Sequence, residues 1–228
     1  MSIRIFDAGS AGFTRQIDVA IKNGTYLRGQ LFADAIQAGA AVGAAILDYG
    51  CGPGRIAHML SSRGFIVDGV DPSEEMIKEA NRLVSDQAQP AFGVVDDNGA
   101  SLATEKYAGV VCSSVIEFVP DAAALLQNLS RAMKPGGLLA LSFSNRRSLW
   151  RAYAKYRMQK NLPHYSVQYN VWTFAETEAK LAAAGFSLQS GPVYFEGGPF
   201  DKRPALKFLS STPLVGTLGF VTARRNGA

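Results

Sequence analysis

Between residues 46 and 55 the chain reads Ile-Leu-Asp-Tyr-Gly-Cys-Gly-Pro-Gly-Arg, an apolar run that reaches Asp48 and then three glycines two residues apart, Gly50, Gly52 and Gly54. Glycine lets a ligand approach the backbone, and the N–H groups that open a following helix attract a carboxylate or phosphate. The same turn also serves as an ordinary strand-to-helix connection. Spacing narrows the ligand. A dinucleotide fingerprint needs its third glycine where this chain has Arg55, which speaks against a nicotinamide-dependent oxidoreductase. Three more apolar runs end in groups with chemistry: Asp71 before Pro72, the pair Asp96 and Asp97, and Ser113 with Ser114. The chain has two histidines, His58 and His164, and two cysteines, Cys51 and Cys112, too few for a disulfide framework or a CxxC metal site.

These groups recur because one rhythm recurs. From Ala44 to Ser144 a short apolar run, a turn rich in Gly, Asp or Pro, and a stretch of helical spacing follow one another, the pattern of βαβ units in a parallel sheet. Strands are expected at Ala44–Tyr49, Phe65–Val70, Ala91–Val95, Gly109–Ile116 and Gly137–Phe143, with helices at Arg55–Ser62, Ser73–Val84 and Asp121–Met133. Ser73 ahead of Glu74 and Glu75, and Asp121 after Pro120, suit helix starts, while Lys134-Pro135-Gly136-Gly137 reads as a turn into the fifth strand. Phe13–Lys22 and Thr25–Ala38 carry weak helical patterns. Phe186–Phe195 and Leu214–Arg224 read as two more strands, antiparallel because no crossover helix separates them.

Taken together and in order, the stretches around Asp48, Asp71, Asp96, Ser113 and Lys134 to Leu139 resemble the motifs of class I S-adenosylmethionine-dependent methyltransferases, over residues 44 to 144. The resemblance implies a doubly wound α/β fold: a Rossmann-like, seven-stranded, mostly parallel sheet with an antiparallel last strand. It divides the single domain, 1–228, into an N-terminal helical lid (1–43), a cofactor-binding core (44–144), a substrate-side insert (145–185) and C-terminal strands (186–228). It also implies S-adenosylmethionine as methyl donor and S-adenosylhomocysteine as product. The cofactor would lie on Asp48, Gly50, Cys51, Gly52 and Gly54, with Asp71 and Pro72 at the ribose hydroxyls. Asp96, or else Asp97, would meet the adenine amine, and Ser113 or Ser114 the methionine end. One carboxylate facing two hydroxyls forms two charge-assisted hydrogen bonds, although Asp before Pro also suits a plain turn, and Asp-Asp-Asn-Gly a solvated loop. Arg28 stands where relatives carry a lid and could pair with the methionine carboxylate, or simply face solvent.

The implied chemistry is in-line transfer of an activated methyl, for which alignment and exclusion of water matter most. A base helps only if the acceptor arrives protonated. Many relatives place His after the glutamate of the fourth strand's exit. This chain has Phe118 there, which removes one candidate base and leaves His164, in Pro163-His164-Tyr165, as the catalytic candidate. From Arg146 to Lys160 six cations occur without an anion. Arg147, Arg151 and Lys155 repeat every fourth residue on what would be one helical face, with Trp150, Tyr153 and Tyr156 beside it. That stretch suits a phosphate-bearing or lipid-linked acceptor, peripheral contact with an anionic membrane, RNA, or only solvent.

Composition bounds the rest. The chain has 228 residues, 47% hydrophobic and 18% charged, with 23 Lys and Arg against 19 Asp and Glu. That balance suits one cored domain rather than a disordered chain. No apolar run is long enough to span a membrane and no secretory signal is evident, so a cytoplasmic protein is expected. The reading is therefore a methyltransferase acting on a small-molecule acceptor, oxygen favoured, with lipid-linked, quinone or glycan intermediates in view. The alternatives are an RNA or other nucleic-acid methyltransferase, which lacks support because no Asn-Pro-Pro-Tyr-like motif follows the fourth strand, or a non-catalytic cofactor-binding scaffold subunit.

Overall fold

Seven short apolar strands form one sheet because most of their side chains find cover on both faces. The computed structural model describes residues 12, 14, 15, 17–19, 21, 27–82, 89–157, 167–196, 198, 201 and 204–227. Strands β1 (Ala45–Tyr49), β2 (Ile66–Asp71), β3 (Ala91–Val94), β4 (Tyr107–Cys112), β5 (Met133–Ser144), β6 (Phe186–Phe195) and β7 (Leu218–Arg225) assemble in the order β3-β2-β1-β4-β5-β7-β6. β1 to β5 run parallel, and β7 is antiparallel to both neighbours, Leu141 facing Val221 and Leu188 facing Ala223. The expected fold class is found.

Helices α1 (Leu27–Gly39) and α2 (Arg55–Ser62) cover one face, where Phe32, Ile36, Ile56 and Leu60 pack on Ile46, Val67 and Phe220. On the other face α4 (Ala122–Ala132) and α6 (Phe174–Ala183) bring Leu125, Leu126, Leu129 and Leu181 onto Leu47, Val110, Leu141 and Phe143. Burying each such aliphatic side chain contributes roughly 1.5–3 kcal/mol, which fixes which sheet face each helix takes. Helix α3 (Glu74–Asn81) starts at Ser73, whose hydroxyl accepts from Met76 N at 3.2 Å, and α4 starts at Asp121, which accepts from Ala124 N at 2.9 Å. Both caps are where the sequence places them. Helix α5 (Leu149–Arg157) carries the start of the basic stretch.

Four local expectations need correction. β4 ends at Cys112, and Ile116–Phe118 form a 3₁₀ turn instead of continuing the strand. Lys134 to Gly137 do not precede β5 but bulge within it: Met133 pairs with Tyr107, and pairing resumes only at Leu138 with Gly109. The last strand starts at Leu218 rather than Leu214, because Pro204–Ser211 coil into a 3₁₀ helix and turns follow. Helix α6 falls where no helix is expected, although Thr173 and Glu176 form a reciprocal capping box, a signal the sequence carries.

Candidate functional site

In a sheet of this order the sense in which strands are added reverses between the parallel neighbours β1 and β4, and the crevice beyond the carboxyl ends of those strands is where a ligand fits. The loop after β1 is built for close approach. Gly50, Gly52 and Gly54 have φ of 70, 52 and 75°. Side chains disfavour that region, and a Cβ on Gly50 would overlap Val115 Cγ2. Gly50 N and Cys51 N both donate to Val70 O, at 2.7 and 3.0 Å, binding the loop to β2. Asp71, which ends β2, accepts from Gly52 N and from Ser73 N, each at 2.9 Å. One carboxylate thus holds the middle of the glycine loop against the start of α3. Pro72 lies between these two contacts in the chain.

Asp48 is buried beneath the loop, and its Oδ2 has no hydrogen-bond partner among the described residues. Burial pushes its carboxyl up to about 7, with the Ala57 N–H opposing and the nearby Asp71 charge adding to the rise. Cys51 and Cys112 are buried thiols, both raised by burial and by nearby carboxylates. At the end of β3, Asp96 is exposed and folded into its own turn. It accepts from Ala100 N at 2.6 Å, from Ser101 N at 3.0 Å and from Ser101 Oγ. Slight burial disfavours its charge, but those hydrogen bonds outweigh it and hold the carboxyl below its ordinary range. Tyr49 OH donates to Asp96 O at 2.9 Å and so ties the ends of β1 and β3 together. Asp97 is exposed beside it.

Two cations bring the N-terminal region to these loops. Arg55, buried at the start of α2, pairs with Asp18 through two hydrogen bonds of 2.6 and 2.8 Å. Arg28, in the first turn of α1, donates to Ser114 Oγ at 2.9 Å and to Glu196 Oε1 at 2.8 Å through Nε, with a second ion-pair contact through Nη2. Ser114, rather than the adjacent half-buried Ser113, meets Arg28. Ser114 and Glu196 have φ of 55 and 60°. Such values are unusual for residues with side chains and mark local strain. Ser114 N donates to Ser142 Oγ at 2.8 Å.

The residue not anticipated is Glu117. It is 1% exposed on the 3₁₀ turn after β4, and its Oε2 has no hydrogen-bond partner among the described residues. Burial pushes its carboxyl up to about 7; its own backbone N–H, Arg28 and Arg151 pull it back, and Glu196 adds to the rise. The turn is clamped by the segment after α5. Tyr169 N and Asn170 N donate to Glu117 O at 2.7 and 3.3 Å, and Asn170 Nδ2 donates to Ile116 O and Val119 O at 2.9 and 2.7 Å.

Helix α5 departs from the expected face. Arg151 is buried, with Nη2 on Gln168 Oε1 at 2.5 Å and Gln168 Nε2 in turn on Ser144 Oγ at 3.0 Å, so it does not share a solvated stripe with Arg147 and Lys155. Tyr153 and Tyr156, 51% and 80% exposed, are not docked on the core, whereas Trp150 packs where a side chain on Gly198 would sit. His58 lies against Phe92, with ring centroids 5.6 Å apart and the rings tilted by 49°. His164, Tyr165, Tyr26 and Lys160 lie outside the described residues.

A family model described as a methyltransferase domain matches residues 25–190. The chain belongs to this methyltransferase-domain family. The resemblance read from its motifs is borne out, and the fold is that of class I S-adenosylmethionine-dependent methyltransferases. Among curated relatives, a ubiquinone biosynthesis O-methyltransferase from Leptothrix cholodnii is 35% identical over 107 residues, 46% of each chain. Another protein of that description, from Nitrosomonas europaea, is 29% identical over 169 residues, 71% of each chain. The chain thus matches somewhat under half the length of the first of these methyltransferases. A magnesium protoporphyrin IX methyltransferase from Synechocystis, solved with bound S-adenosylhomocysteine, aligns at a TM-score of 0.67 over 96% of both chains with 22% identity, a likeness of fold.

Proposed function

We propose that this methyltransferase-domain protein transfers a methyl group from S-adenosylmethionine to the oxygen of a small-molecule acceptor of the kind that quinone biosynthesis uses. The observation that carries the reading is the crevice at the β1 and β4 ends. There a left-handed glycine loop, the ribose-type carboxylate of Asp71 and a buried carboxyl at Asp48 converge. The donor brings a methyl already activated on a sulfonium, so the chain must bind, orient and keep water out.

The residues fit that donor. Asp71 ends β2 at the crevice with its carboxylate already drawn to the Gly52 and Ser73 N–H groups, the position and charge that suit ribose hydroxyls. Asp48 Oδ2, buried without a partner among the described residues, suits an ammonium, and a cation brought next to it would pull its carboxyl back toward the charged form. Arg28 is the charge for the methionine carboxylate, Ser113 and Ser114 lie at that end, and Asp96 or Asp97 lies on the adenine side. His164 remains a candidate base for the acceptor. The N-terminal stretch, held by Asp18 on Arg55 and by Arg28 on Glu196, acts as the cover over the donor.

A lipid-linked acceptor would be met at a membrane surface. Leu149, Tyr153 and Tyr156 of α5 are exposed, flanked by exposed Arg147, Lys155 and Arg157, and the mixture of aromatic and cationic groups suits anionic headgroups. Among the described residues no helix is long and apolar enough to cross a membrane, so this contact would be peripheral. We place the protein in the cytoplasm, and set nucleic acid aside as a partner because no Asn-Pro-Pro-Tyr-like motif follows the fourth strand.

Calorimetric titration of the purified protein with S-adenosylmethionine, S-adenosylhomocysteine and NADH tests the donor. Micromolar binding of the two sulfur compounds and none of NADH is expected; a folded protein that binds neither sulfur compound overturns the proposal.

A further inference from the structure

We propose that Glu117 takes the proton from a phenolic hydroxyl of the methyl acceptor. The inference rests on the donor and acceptor proposed above and adds the base. Its ground is geometric. Glu117 lies beyond the carboxyl end of β4, next to the crevice, on a turn whose carbonyls at 116, 117 and 119 are all held by Tyr169 and Asn170 from the acceptor-side segment. The backbone of the turn is thus fixed, and the carboxyl it carries is buried with Oε2 lacking a partner among the described residues, which leaves an acceptor for a group that arrives from outside. The charged and titratable groups around it come from four elements: Arg28 from α1, Arg151 from α5, Glu196 from the end of β6 and Cys112 from β4.

A phenolic hydroxyl, the acceptor that the proposed function implies, suits such a base in acidity. A carboxyl held at about 7 is a far better base than an ordinary glutamate, and a phenol, which ionises at about 10, is within its reach. An aliphatic alcohol, as weak an acid as water, is not. In the transfer step the acceptor oxygen forms its bond to the methyl carbon as the carbon–sulfur bond breaks. The bonding pair stays on sulfur, giving the neutral thioether, and the hydroxyl proton passes to Glu117, which returns it to solvent after product leaves. Phe118 stands next to it in the chain and brings no titratable group, so Glu117 is the titratable side chain of the 3₁₀ turn.

The test compares wild type with Glu117→Gln on two probes, catechol and 4-nitrocatechol, at about pH 8, where the nitro compound arrives already ionised. The expected result is a ~10²–10⁴-fold lower kcat on catechol, a loss under about tenfold on 4-nitrocatechol, and unchanged S-adenosylhomocysteine affinity. The wild-type rate on catechol should also fall below about pH 7, and that limb should vanish in the variant. Should Glu117→Gln not fold, Glu117→Asp carries the same comparison, with the charge kept and withdrawn by one methylene. Equal losses on both probes, or loss on neither, overturn the proton role. Failure of the wild type to methylate either probe while it binds S-adenosylhomocysteine overturns the phenolic class. Failure to bind S-adenosylhomocysteine strikes instead at the donor assignment beneath.

Discussion

Glu117 should make the ligand-free protein lose stability as pH rises, and the size of that loss can be worked out. Burial takes its carboxyl from the ordinary 4.5 to about 7. Between those values the folded chain keeps a proton that the unfolded chain has released. The unfolded state therefore binds fewer protons, and stability falls as pH rises through the window. With 4.5 unfolded and about 7 folded, the penalty is about 1 kcal/mol at pH 5 and about 3 kcal/mol at pH 8, a difference of roughly 2–3 kcal/mol. For a chain of this length that is about 5–10 °C in Tm. Glu117→Gln keeps the shape and removes the titration. Thermal and urea unfolding of both proteins at pH 5 and pH 8 should then show a pH-dependent loss that is smaller in the variant by that amount, all other groups cancelling. Asp48→Asn should behave alike, since Asp48 rises from 3.8 to about 7. Parallel losses in wild type and Glu117→Gln would mean that the buried carboxyl is charged throughout, and the case for it as a base would fall as well.

Asp71→Ala should weaken S-adenosylhomocysteine binding at least tenfold, about 1.4 kcal/mol, by calorimetry on folded protein; unchanged affinity rejects the ribose role. Gly50→Ala adds a Cβ in the left-handed region against Val115. It should lower stability by about 2–4 kcal/mol in urea melts, and a loss within about 0.5 kcal/mol would show that the loop relaxes freely. Glu196→Gln removes the carboxylate that competes for Arg28 and should tighten S-adenosylmethionine roughly threefold, while Arg28→Ala loosens it roughly tenfold; no change in either separates Arg28 from the donor. Replacing Arg147, Lys155 and Arg157 together by Gln should weaken sedimentation with phosphatidylglycerol vesicles by about tenfold or more with donor affinity unaltered, and equal binding before and after would leave that face merely solvated.

What was legible from sequence is what local chemistry decides. Helix α2 has the expected bounds, Arg55–Ser62, because Gly54 supplies the left-handed entry and the apolar stripe does the rest. The loop around Gly50 and the acid at Asp71 come together as read, because both terminate adjacent parallel strands. Other features depend on partners far along the chain. Arg147, Arg151 and Lys155 have the spacing of a shared face, yet packing against Gln168 takes Arg151 inside, which periodicity alone does not encode. Glu196 meets Arg28 across 168 residues, and Glu117 acquires its surroundings from α1, α5, the 168–170 segment and β6. A glutamate inside an apolar run, followed by Phe118 instead of histidine, looks like a lost base until those elements are assembled around it. Helix α6 is different in kind: Thr173 and Glu176 announce it, and the aromatic and basic residues upstream draw the reading away.

Asn170 has a consequence for how the turn after β4 keeps its shape. By grasping the carbonyls of Ile116 and Val119 while its amide and that of Tyr169 hold Glu117 O, it rivets that turn to the segment that follows Gln168. A substitution at Asn170 would therefore be felt more than 50 residues earlier in the chain, as a change in the shape of the glutamate turn rather than in its composition.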